Sequence, residues 1–352
     1  MTAELAWYLV LCCLAFFYCF VNKRTPLILI AYVIAAYYLW VVRTSGFDYD
    51  MVGYARYLSF EFDFATASTY YTREFVYWFG SSYLYSLIQD DVVTLWVIDM
   101  IWLTLLFYAM GNRRLSRGVP MYVIPFMIVF FPLLMGYQNI YRQLIACAFV
   151  LFAFFGVRNL VVAGFFGLLA LFLHNAAIVY MPLLYIFAIT NGMATPKVKL
   201  FHKSIFALLY LIMVGGVYYS SLGDSELAKS SSSTGISLTY AYLAVFMAMS
   251  VVAFILENFN LKRFIQNNIT LTYSIFTFLA FIPVLGGAQA ERIGMMLLIV
   301  TMPIFATNLD RSFKSQSERV LMRMLFVMAG IAPTFLFSSA YNFLITTARL
   351  SS

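Results

Sequence analysis

Arginine and histidine are the residues to begin with, because they are scarce and stand at informative places. The 352-residue chain holds two histidines and 22 lysines and arginines. His174 ends one apolar run and precedes another, in Leu173-His174-Asn175-Ala176-Ala177. Arg142 sits between two apolar runs, in Gln138-Asn139-Ile140-Tyr141-Arg142-Gln143. The two are 32 residues apart. A helix rising ~1.5 Å per residue crosses a bilayer in about 16 residues and returns in about 16 more, so both side chains reach the same face on neighbouring helices. Arg292 begins an apolar run at that face, Arg43 ends one, and Arg73 opens a short aromatic segment. Arginine near hydrocarbon costs about 2.5–3.5 kcal/mol at mid-membrane and less toward the interface. Four arginines and a histidine in one leaflet therefore call for a ligand or for carboxylate partners. Planar guanidinium groups bind phosphate in a bidentate way, and at this depth the matching ligand is a lipid-linked phosphate or pyrophosphate. The bland alternatives are snorkelling, pairing with Asp48, Asp50, Glu74 or Glu291, and for His174 a helix-end bond to a free carbonyl. Asp99, ~10 Å into an apolar run, needs an arginine partner, which reads as a structural ion pair rather than a catalytic group. His202 lies in a basic loop and reads as solvated.

The elements that must position these residues follow from composition. Hydrophobic residues are 63% of the chain and charged residues 11%, against about 45–50% and about 25% in soluble domains. This implies an all-α, polytopic integral membrane protein forming one transmembrane domain over residues 1–352. The apolar runs are long and continuous, which excludes the alternating pattern of a β-barrel. Twelve spans can be cut, near 5–21, 26–42, 92–110, 120–138, 140–157, 160–174, 176–190, 204–221, 238–256, 268–286, 293–309 and 321–345. Residues 1–21 carry Glu4 instead of a basic leader and read as the first span, not a signal peptide.

Charge placement decides a thirteenth segment. If 74–89 is an interfacial or re-entrant helix, most basic residues, among them Lys23, Arg24, Arg113, Arg114, Arg117, Lys262 and Arg263, share one side. The other side keeps only Arg43, Arg56, Arg73, Arg142, Lys229, Arg292 and Arg349. By the positive-inside rule that second side is the outer one. It carries a large loop at 43–91 and a second loop at 222–237, and both termini. The net charge of +7 is thus a topology signal and no sign of nucleic acid. Cys12, Cys13, Cys19 and Cys147 all lie in apolar runs and form no disulfide framework. No nucleotide or dinucleotide fingerprint and no metal-ligand spacing occurs, so neither cofactor nor metal is expected.

Several short motifs, in order, resemble the EpsG/Wzy-type polysaccharide polymerases of bacterial inner membranes. They are Asn22-Lys23-Arg24 after the first span, Ser45-Gly46-Phe47-Asp48-Tyr49 after the second, and Glu74-Phe75-Val76-Tyr77 at the interfacial helix. Arg142-Gln143 and His174-Asn175-Ala176-Ala177 follow. The likeness covers about residues 5–190, then Arg292. Phe47, Val76 and Ala176 depart from the family's Thr, Gly and Ser. The resemblance implies a GT-C-like membrane glycosyltransferase. It would transfer a growing glycan from undecaprenyl pyrophosphate onto a lipid-linked repeat unit at the periplasmic face. Arg142 and Arg292, with Arg43, Arg73, Gln143 and Tyr49, would hold the pyrophosphate and substrate. A neutral His174 would be the general base, its proton affinity lowered by the arginines, with Asp48 or Glu74 as the alternative. Outer tyrosines would stack on sugars or simply form a membrane belt. Implied partners are the lipid-linked oligosaccharide and polysaccharide, membrane lipids and a chain-length regulator protein. Two other classes compete. A membrane acyltransferase would place its His and Arg on the inner face. A lipid-linked oligosaccharide flippase or transporter would line a central path with charges.

Overall fold

The computed structural model describes residues 2–21, 26–47, 49–60, 69–111, 118–157, 159–190, 200–223, 238–285 and 287–345. Among these residues every regular element of the chain is helical. Among the described residues six helices are long and apolar enough to cross a membrane, and five further apolar helices are shorter, at 10–17 residues. Length alone therefore supports a membrane-embedded bundle and does not by itself reach twelve crossings.

The first half builds the scaffold of the site. α1 (Ala3–Tyr18) packs on α2 (Leu27–Thr44). The expected 43–91 loop carries three helices: α3 (Tyr49–Leu58), α4 (Thr69–Arg73) and α5 (Phe75–Ile88). At 14 residues, α5 spans ~21 Å, less than the ~30 Å hydrocarbon core. It matches the short segment expected at 74–89. α6 (Asp91–Gly111) runs against α2 and α5.

The run expected as one span at 120–138 is broken. α7 (Val123–Val129) stops at Phe130, whose backbone is extended, and α8 (Phe131–Gln138) restarts there. Pro132 causes the restart, because proline lacks an N–H and fits only the first turn of a helix. α9 (Tyr141–Leu151) passes into a wider turn over Phe152–Gly156. α10 (Leu160–Leu173) ends at His174, in extended conformation, and a short 3₁₀ turn over Asn175–Tyr180 leads into α11 (Met181–Thr190).

The second half closes the bundle. α12 (Leu200–Gly223) lies at the periphery against α11, with Phe201, Leu208, Leu211 and Ile212 exposed. α13 (Leu238–Leu256), α14 (Leu261–Asn267) and α15 (Ile269–Phe281) surround α16 (Gly287–Ser312), the most deeply buried of the long helices. α17 (Gln316–Leu336) and α18 (Ser338–Ile345) complete the fold, and the span expected at 321–345 bends between them at Phe337. Gly330 of α17 allows close approach to α7, since a Cβ there would lie 2.4 Å from the Phe126 ring.

Rows of exposed aliphatic and aromatic side chains run around this bundle, including Phe17, Val161, Leu211, Val251 and Leu336. A water-soluble surface does not carry apolar area on that scale, whereas lipid requires it. Residues 224–237, most of the expected second loop, lie outside the described residues, as does the basic turn 22–25.

Candidate functional site

Helix ends collect at one end of the bundle. They are the N-termini of α5 and α9, the C-terminus of α10 and the first turns of α16, with α3 beside them. Glu74 lies at the N-terminal cap of α5 and is buried. Its Oε2 pairs with Nη1 of Arg142, in the first turn of α9. Its Oε1 accepts the backbone N–H of Asn175 at 3.2 Å and lies 3.7 Å from Nε2 of His174. The Gln143 amide stands 3.4 Å from the same Nε2. Residues 74, 142–143 and 174–175, distant in sequence, thus meet around one carboxylate.

Aromatic rings wall the cluster. The Arg142 guanidinium lies over Trp78 at 4.7 Å, over Tyr54 at 5.6 Å and over Tyr77 at 6.0 Å. Its Nε donates to the Tyr54 hydroxyl at 3.4 Å. Such cation–ring contacts contribute about 0.5–2 kcal/mol each. Tyr57 and Tyr71 pack edge-on or tilted against Trp78 and each other. Arg142 is thus held by faces as well as by Glu74.

His174 has a defined protonation pattern. Its Nδ1 accepts the N–H of Ala176 at 3.1 Å and caps the 3₁₀ turn. An accepting Nδ1 carries no proton, so the neutral ring bears its hydrogen on Nε2. That N–H faces Glu74 and Gln143, and the amide oxygen is the end of Gln143 that suits it. The other end of the Gln143 amide is then buried without a hydrogen-bond partner among the described residues. In this arrangement neither nitrogen of His174 offers a free lone pair.

The carboxyl groups are tuned by burial. Burial pushes Glu74 above its ordinary range, and the Arg142 charge and Asn175 N–H pull it back in part. Asp50 of α3 is also raised by burial, opposed by Arg292 and then Arg142. Arg292, in the second turn of α16, is exposed, and its charge reaches both Asp50 and His174. Arg142 stands in the first turn of α9, where the helix dipole adds to its positive field. The charges of Arg142 and Arg292 both act on Asp50 and His174.

Arg43, one of the residues expected to hold phosphate, is paired with Asp99. It turns inward from the last turn of α2 and is 1% exposed. Its Nε and Nη2 bind the Asp99 carboxylate at 2.7 and 3.0 Å, and Nη2 also donates to the Tyr137 carbonyl at 3.0 Å. Trp102 and Tyr141 donate to Asp99 Oδ1 at 2.9 and 2.8 Å. This is the arginine partner that Asp99 requires, and it leaves no face for a ligand. Tyr141 ties it to the site, since its ring neighbours Tyr54 and Tyr77 and it precedes Arg142. Arg73 ends α4 exposed and takes no part in the hydrogen bonds of the cluster among the described residues. Asp48 lies outside the described residues, and Tyr49 is placed only as the first residue of α3.

Sequence reasoning named Asp50 only as a carboxylate partner for the arginines, Tyr54 only among the outer tyrosines and Tyr77 only within a motif, and gave Trp78 and Tyr141 no role in the site. One signal was present: Asp50 and Tyr54 are four apart and share a face of α3. Among the described residues no group of three His, Cys, Asp or Glu side chains forms a metal site. Searches against protein families, curated proteins and solved structures find no match for this chain.

Proposed function

We propose that the protein is an inner-membrane polysaccharide polymerase. It transfers a growing glycan from undecaprenyl pyrophosphate onto a lipid-linked repeat unit at the periplasmic face. In this reading the chain crosses twelve times in a GT-C-like arrangement, with α5 at the interface and the termini on the side of the site. One observation carries the proposal. Glu74, Arg142-Gln143 and His174-Asn175, three of the segments behind the family resemblance, converge in one buried, aromatic-walled cluster.

The chemistry fits the groups. A departing pyrophosphate needs charge stabilisation rather than a proton; Arg142 supplies it within its aromatic wall, and exposed Arg292 adds its charge. The acceptor hydroxyl needs a base, and Glu74, raised by burial, is suited to that role. The half-buried Tyr54, Tyr57 and Tyr71 offer faces for sugar rings. A transporter path gains little support, because the deep charge of Asp99 is closed off by Arg43, Trp102 and Tyr141. The test is polymer length in cells carrying Arg142→Ala, Arg292→Ala or His174→Ala at normal protein levels. Single repeat units in place of long polymer are expected. Unchanged length in all three would remove the proposal.

A further inference from the structure

Glu74 and Arg142 occupy each other, yet the reaction proposed above needs both. A phosphate bound to Arg142 must compete with the Glu74 carboxylate, and a proton bound by Glu74 must compete with the Arg142 cation. Two features let the pair separate without collapse. Arg142 stays seated on Trp78 and Tyr54 when the carboxylate leaves. Glu74 keeps the Asn175 N–H and the facing His174 N–H on Oε1, while the Arg142 contact is on Oε2. Only the oxygen released by Arg142 becomes free. On the far side of His174 Nε2 from Glu74, one end of the buried Gln143 amide is without a hydrogen-bond partner among the described residues.

We infer that Glu74 is a substrate-released base: the pyrophosphate of the lipid-linked donor takes Arg142 from Glu74, and the freed carboxylate then accepts the proton of the acceptor hydroxyl. The inference rests on the polymerase reading of this site. The acceptor oxygen bonds to the anomeric carbon of the donor glycan. The bond from that carbon to the pyrophosphate oxygen breaks, and its electron pair leaves with the lipid pyrophosphate. The hydroxyl proton ends on Glu74 and passes to water. Neutralising Arg142 removes the charge that opposes burial at Glu74, so the carboxylate becomes a stronger base when a donor is bound. Until then the carboxylate is masked by Arg142.

The test uses the full chain in phosphatidylcholine nanodiscs, with inorganic pyrophosphate and geranyl pyrophosphate as calorimetric probes. Glu74→Gln removes the competing charge but keeps the size, and should tighten pyrophosphate binding at least about tenfold. It should also lower KM for a lipid-linked donor while cutting kcat by about 10²–10⁴. Glu74→Asp retains a carboxylate, guards against a folding defect in the first variant, and should recover part of kcat. Binding that is unchanged or weaker in Glu74→Gln overturns the release step. Pyrophosphate binding that is the same in wild type and Arg142→Ala overturns the polymerase reading beneath it. Tighter binding of the geranyl form supports a lipid-borne anion, and equal or weaker binding contradicts it.

Discussion

Replacing Arg43 by Met tests whether its ion pair builds the fold or binds substrate. In the wild type Arg43 gives Asp99 two charged hydrogen bonds and satisfies the Tyr137 carbonyl, all within a core where both side chains are essentially inaccessible. Removing one member of a buried pair strands the other charge, at about 3–5 kcal/mol. The orphaned carbonyl adds about 1 kcal/mol. Asp99→Asn alone strands Arg43 and should cost about 3–5 kcal/mol as well. The double variant Arg43→Met/Asp99→Asn should be far milder than the sum. Trp102 and Tyr141 both donate to the same oxygen, Oδ1, and asparagine retains it. A cost of about 2–3 kcal/mol remains, from the unpartnered Asn amide and the Tyr137 carbonyl. The predicted coupling is therefore about 4 kcal/mol or more. Denaturation of the four proteins in one detergent or bicelle system would measure it. Additivity to within about 0.5 kcal/mol would refute the reasoning. Transfer activity per folded molecule in the double variant should stay within about tenfold of wild type. A loss of about 10²–10³, the usual cost of removing a transition-state donor, would return Arg43 to the binding set.

Gly330→Ala should destabilise the bundle by about 1–3 kcal/mol, read as a lower melting temperature, because its Cβ would strike the Phe126 ring. The Glu74 carboxyl, followed by infrared titration, should have its midpoint above the ordinary ~4.3 of glutamate, and Arg142→Gln should move it higher by removing the opposing charge. The reaction needs Glu74 ionised, so activity should be present above that midpoint and fall away as pH drops through it. In a Cys13→Ala background, a cysteine at exposed Arg73 should react with an impermeant maleimide from outside. One at exposed Lys314 should react only after permeabilisation; the reverse pattern would invert the topology.

The spans with clean flanks were legible in the sequence. α13 matches 238–256, and α2 and α6 match their runs to within two residues. Continuous hydrophobicity and the need to satisfy the backbone inside lipid leave little choice there. The breaks were less legible. Hydropathy is blind to the restart at Pro132 and to the bend at Phe337, since both sides of each break are equally apolar. α3 was hidden because its residues are polar and aromatic by turns, and its helix is set by packing on α5 and α6. The helical-rise argument for Arg142 and His174 succeeded, because a pair of antiparallel helices returns the chain to one face. It could not say which arginine turns inward. That depends on side-chain direction at a helix end: Arg43 meets Asp99, while Arg142 meets Glu74 across 68 residues. The protonation of His174 depends on the 3₁₀ turn that follows it, which no spacing announced.

The central claim is that this cluster joins lipid-linked glycan units. Its most direct measurement is product length from purified protein in nanodiscs given a defined undecaprenyl-pyrophosphate-linked repeat unit. Wild type should yield a ladder of products separated by one repeat unit, slowed about 10²-fold or more by Arg142→Ala in folded protein. No ladder from well-folded wild type, or a ladder that Arg142→Ala leaves intact, would contradict the account.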